Sequence, residues 1–141
     1  MNAQRTTLAW ILGAAVLYGT GYLIFDLLFG SFYAANAGSA TGVDRGSQVL
    51  WAMVVANLAY AYLIIFAMRF RPGAGTVGGG AMTGATVGFL MWLTVDFVIF
   101  ATTNISNLTR TIVDPCLEII HGGIGGAVIG ALIGSRSGST S

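Results

Sequence analysis

Four long apolar stretches constrain this chain more than any other feature of its sequence. They cover about residues 8–32, 48–68, 78–101 and 115–134. Each approaches the ~20 residues a helix needs to cross a ~30 Å hydrocarbon core. The first carries one charge, Asp26, the second none, the third only Asp96, and the fourth Glu118 with His121. Periodicity alone does not separate a buried helix from a membrane one, but length repeated four times does. The expectation is an all-α, integral membrane four-helix bundle, with residues 1–141 forming a single transmembrane domain.

Charge supports the same reading. Only 8% of the 141 residues are charged and 55% are hydrophobic, against about 25% charged in an ordinary globular protein. There is no lysine. So few charges would not cover a soluble surface, whereas a lipid bilayer, as the chain's first partner, asks for none. A net charge of +1 without a basic stripe excludes nucleic acid as a partner. A single cysteine, Cys116, rules out an intrachain disulfide and a multi-cysteine metal site. Arg5 ahead of the first apolar run resembles a signal-peptide start, but the run continues to about Phe32 without a small-residue cleavage site, so it is expected to stay as a first span.

Local signals place the turns. Asp114 before Pro115 reads as an N-cap followed by a first-turn proline, which sets the start of the fourth span. The first connection, YAANAGSATGVDRGS, is small and polar; the second turns at Pro72-Gly73; the third is TTNISNLTRT. The tail SRSGSTS is of low complexity and is expected to be disordered unless a partner orders it. Arg5, Arg69, Arg71 and Arg136 fall on one side of the bundle, Arg45 and Arg110 on the other, each of these two near an acid. Both termini are therefore expected in the cytoplasm. Gly21-Tyr22-Leu23 with Tyr33-Ala34 echoes Gly88-Phe89-Leu90 with Phe100-Ala101 at one offset, which leaves a 2+2 tandem repeat open. Asn104 and Asn107 match glycosylation acceptors, a match without meaning in a bacterial protein.

Glycine recurs at four-residue steps: Gly80, Gly84 and Gly88 in the third stretch, Gly122, Gly126, Gly130 and Gly134 in the fourth. In lipid no hydrophobic effect gathers apolar helices, so small residues that let backbones approach are what joins them. The two stripes lie in adjacent antiparallel spans and are expected to pack within the chain, with a homo-oligomeric glycine-zipper seam as the alternative. No Lys-Ser/Thr follows the glycines, so they do not form a phosphate loop.

The intramembrane polar residues form the candidate site. At 1.5 Å per residue, Asp26, Asp96 and His121 lie roughly 9 Å, and Glu118 roughly 5 Å, below the outer boundary, with Asn57 and Tyr60 somewhat deeper. Glu118 and His121, three apart, share a helix face, and Asp96 follows Gly88 and Trp92 at four-residue steps. Ionisable groups in a membrane are costly, and they pair or line a hydrated cavity. Three uses stay open for Asp26, Asp96, Glu118, His121 and Asn57. Glu-x-x-His with two aspartates offers ligands to a metal. Carboxylates with a histidine can bind a cation or relay protons. Or the groups merely pair with one another, with Arg45 or Arg110, or with interfacial water. No nucleophile stands beside His121, Cys116 lies off the Glu118 face, and Trp10, Trp51 and Trp92 read as anchors or packing residues.

The segments FYAANAGSATGVDR, VLWAMVVANLAYAYLI and above all GFLMWLTVDFVIFATTNISNLTRTIVDPCLEII resemble a group of small bacterial four-span membrane proteins known only as a domain of unknown function. The likeness covers most of the chain, and Asp96…Asn104…Asp114 is its most specific part. It implies a multi-pass protein of the bacterial inner (cytoplasmic) membrane and carries no catalytic role. Glu118, His121 and the glycines after them lie outside what it implies. The leading expectation is a non-enzymatic membrane protein that self-associates as a homo-oligomer or serves as an accessory subunit beside other membrane subunits. The alternative is a small proton- or cation-dependent transporter or channel using the Asp/Glu/His cluster, and a metalloenzyme comes third. No catalytic or cofactor-binding residue is designated, and the metal and cofactor remain unknown.

Overall fold

The computed structural model describes residues 3–134. Arg136 and the SRSGSTS tail, to which the sequence assigned disorder and an orienting charge, lie outside the described residues. Every regular element among the described residues is helical. Helix α1 spans Ala3–Gly21 and passes directly into a π-helical segment, Tyr22–Leu28. A short α2 follows at Gly30–Ala35, then α3 at Leu50–Met68, α4 at Val77–Thr102 and α5 at Leu108–Gly134. Four helices, with α1 and its π-helical continuation taken as one, are long and apolar enough to cross a membrane.

α5 is the centre of the bundle. It packs most extensively on α4 and next on α1, while α1 also lies against α3. Accordingly 44% of its most apolar window is buried, against 17–28% in the other three. The outward faces stay apolar, with Trp51, Val55, Leu90 and Ile120 more than half exposed, as a lipid-facing surface requires. Trp10 is a packing residue whose indole donates to the Leu58 carbonyl at 2.7 Å, tying α1 to α3.

Glycines let α4 and α5 approach to backbone contact. A methyl on Gly84 would sit 2.9 Å from the Gly126 Cα and closer still to the Gly122 carbonyl oxygen; one on Gly80 would sit 3.0 Å from the Gly130 Cα. Such an approach yields dense dispersion contacts and Cα–H···O contacts without any help from water. Thr76 caps α4, its hydroxyl accepting from the Gly79 N–H at 3.0 Å. The turn before it uses Gly73 at φ 75°, a left-handed conformation that a Cβ disfavours.

Two sequence-based boundaries are corrected. The fourth helix does not start at Asp114-Pro115. Asn107 is its cap, with its side-chain oxygen accepting the Arg110 N–H at 2.9 Å and its carbonyl the Thr111 N–H at 3.1 Å. Pro115 thus lies inside α5, fully buried. Its missing N–H removes one ladder bond, a loss that packed membrane helices tolerate. The first apolar run, expected to continue to Phe32, breaks at Phe29, where the backbone leaves helical geometry (φ −111°, ψ 7°). The loop after α2 then pairs with the α4–α5 loop: Gly38 N–H donates to Ile105 O at 2.9 Å, Ala40 N–H to Asn104 O at 3.0 Å, and the Asn107 amide to the Asn36 side chain at 3.1 Å. These bonds close one end of the bundle.

Candidate functional site

The α5 correction determines the site. Once Leu108–Gly134 is one helix, Arg110, Asp114 and Glu118 stand at four-residue steps on one face, and His121 follows three further on. Asp114, Glu118 and His121 are buried, at 9%, 2% and 5% exposure. The helices packed around this face enclose a cavity of about 660 Å³ lined by Asp26, Asn57, Arg110, Asp114, Glu118 and His121 among polar groups. Aromatic side chains supply much of the remaining wall.

Glu118 and His121 form the deep end. His121 Nδ1 lies 2.9 Å from Glu118 Oε2, and the Tyr60 hydroxyl of α3 donates to the same oxygen at 3.0 Å. The other ring nitrogen, Nε2, lies 2.9 Å from the Leu17 carbonyl of α1. A carbonyl only accepts, so Nε2 carries a hydrogen. Nδ1 then faces Glu118 either as the second donor of an imidazolium or as the acceptor from a protonated carboxyl. In both arrangements the pair holds one exchangeable proton. The rings of Phe25 and Tyr60 meet the imidazole edge-on, with centroids 5.4 and 5.7 Å away. Leu17 lies one turn ahead of the π-helical segment, and a side chain that bonds into a helical ladder is one of the few things that loosens it.

A second group occupies the loop end. The Tyr33 hydroxyl of α2 donates to Asp114 Oδ1 in a short bond. The Arg110 guanidinium lies over the Tyr33 ring, 4.9 Å from its centroid. Burial raises the Tyr33 pKa above its ordinary value, and the bond to Asp114 raises it further. The carboxyl of Asp96 in α4 neighbours that of Asp114, and its Oδ2 is buried without a hydrogen-bond partner among the described residues.

The cluster expected from the sequence is therefore divided. Glu118 and His121 are bonded to each other. Asn57 lines the cavity, with its amide turned back to the Met53 carbonyl at 2.9 Å. Asp26, in the π-helical segment, lines the cavity but is exposed, and Gln48 approaches it at 3.5 Å. Asp96 is not among the lining residues; it stands against Asp114. Sequence reasoning missed Tyr33 and Asp114 as site residues, and the signal for Asp114 was its four-residue spacing to Arg110 and Glu118. Cys116 is exposed on another side of α5. Among the described residues no three His, Cys, Asp or Glu side chains are arranged to hold a metal ion.

No protein-family model matches the chain, and no curated protein or solved structure shows significant similarity to it.

Proposed function

We propose that the protein is a small, non-enzymatic transporter of the bacterial inner membrane that exchanges a proton for a cation at Glu118. Both termini lie in the cytoplasm, and the cavity opens toward the outer side. The observation that carries this reading is the 2.9 Å contact between His121 Nδ1 and Glu118 Oε2 in the wall of a cavity large enough for a solute. When the pair loses its proton, a carboxylate faces a neutral imidazole. One of the two His121 contacts then sets a lone pair against an acceptor and opens. A cation beside Glu118 replaces the lost positive charge, so proton and cation compete for one carboxylate.

The neighbouring charges favour a cation. The cavity wall carries Asp26, Asp114 and Glu118 against Arg110 and His121, and Asp96 adds another carboxyl behind Asp114. Tyr60 from α3 and Tyr33 from α2 face the same carboxylates as neutral donors. The leading expectation from the sequence, an accessory or self-associating subunit, drew partly on the glycine stripes, and these are in contact inside one chain.

The test is reconstitution in liposomes holding a pH-sensitive dye, with outward gradients of sodium, potassium or organic ammonium ions imposed in turn. Proton movement coupled to at least one cation, and lost in Glu118→Gln, is expected. Dye signals at the level of protein-free liposomes for every cation would overturn the proposal.

A further inference from the structure

Resting on the exchange reading above, we infer that the cation is an organic ammonium ion carrying an apolar or aromatic body, rather than a bare inorganic ion. Size is the first argument. A cavity of about 660 Å³ falls in the range that encloses organic ligands, whereas a water-sized particle occupies about 30 Å³. An inorganic ion there would keep most of its hydration shell and use little of the wall.

The wall is the second argument. Tyr18, Tyr22, Phe25, Tyr33, Tyr60 and Trp92 all line the cavity. Ring faces attract an ammonium group through their quadrupole and lose nothing when water leaves, while the same rings repel an anion. They arrive from α1, its π-helical continuation, α2, α3 and α4, so the aromatic lining surrounds the cavity rather than forming one packed stripe. The single guanidinium, Arg110, is already held over Tyr33.

The placement of the acids is the third. Glu118 is nearly fully buried and binds both Tyr60 and His121 through Oε2, so Oε1 takes no part in either bond. Asp26 is exposed and lines the same cavity. One carboxylate is thus accessible and one is deep, the arrangement that draws a cation inward and then neutralises it.

Equilibrium dialysis of the purified full-length chain in detergent against labelled benzyltrimethylammonium tests the inference, with potassium and benzoate as competitors. Saturable binding is expected, strengthening as pH rises because proton and cation compete for the same carboxylate. Glu118→Gln should weaken it by roughly tenfold or more, and excess potassium should not displace the probe. If Glu118→Gln fails to yield a folded bundle, Trp92→Leu and Asp26→Asn serve instead, each expected to weaken binding severalfold. Absence of saturable binding, displacement by potassium at comparable concentration, or wild-type affinity in all three variants would overturn the inference. The two ideas fail separately. Potassium- or sodium-coupled proton flux without ammonium binding sinks the ligand class alone, and ammonium binding without any proton movement sinks the exchange alone.

Discussion

His121 Nε2 lies 2.9 Å from the Leu17 carbonyl, a bond that ties α5 to α1 across 104 positions of sequence. It fixes which nitrogen carries the hydrogen and so makes Nδ1 dependent on the protonation of Glu118. The imidazole thereby links the packing of two helices to the charge of one carboxyl.

Tyr60 completes that linkage from α3, and its hydroxyl is the part that matters. It donates to Glu118 Oε2 at 3.0 Å and fills the space beside Gly88 and Gly122. Tyr60→Phe keeps the ring and deletes one donor to a buried acid. A loss of about 1–3 kcal/mol in stability is expected. Thermal unfolding in detergent measures it, and an unchanged midpoint would mean that the bond contributes nothing.

The glycine contacts make a paired prediction. Gly84→Ala puts a methyl against the Gly122 and Gly126 backbone, which has no rotamer with which to yield. A cost of about 3 kcal/mol or more is expected, with α4 and α5 forced apart. Gly19→Ala places the same methyl in open space on α1 and should be neutral or gain up to about 1 kcal/mol from helix propensity. Equal effects at the two sites would show that the close approach is not what holds these helices.

The helices were legible in the sequence because length and apolarity are local properties. So were the pair Glu118–His121 and the glycine stripes of α4 and α5, since helical spacing puts the residues of each on one face of its helix. What stayed hidden depended on competition between signals. Asn107 and Asp114 are both good caps, and only the bonds to Asn36 and the burial of Pro115 decide between them. The π-helical segment, which no residue pattern announces, carries Asp26 at an exposed position on the cavity wall. Tyr33 sat in what read as a loop, and its bond to Asp114 spans 81 positions.

Tyr33 contributes to the alkaline behaviour. Burial first, and the bond to Asp114 second, raise its pKa when folded, whereas in the unfolded chain it ionises near the ordinary value of about 10. Above that value the unfolded state sheds this proton before the folded state does. Stability is therefore fully present below pH ~10 and declines as pH rises toward the folded value. Tyr33→Phe should flatten that decline, as followed by unfolding midpoints across an alkaline series. A decline equally steep in the variant would remove Tyr33 as its source.

Asp96 separates structural from transport roles within the acid group. It stands beside Asp114 rather than in the cavity wall, and its Oδ2 finds no donor among the described residues. Asp96→Asn keeps the size of the side chain and supplies an amide N–H beside Asp114, so the folded bundle should keep its stability within about 1 kcal/mol. Asp96→Ala removes that polar neighbour and leaves Asp114 buried beside a gap, at a cost of about 1–3 kcal/mol. Cation-coupled proton movement should follow a different order: nearly intact in Asp96→Asn and abolished in Glu118→Gln. If Asp96→Asn stops the flux while its unfolding midpoint stays at the wild-type value, the exchanging carboxyl is Asp96, and the role assigned to Glu118 is wrong.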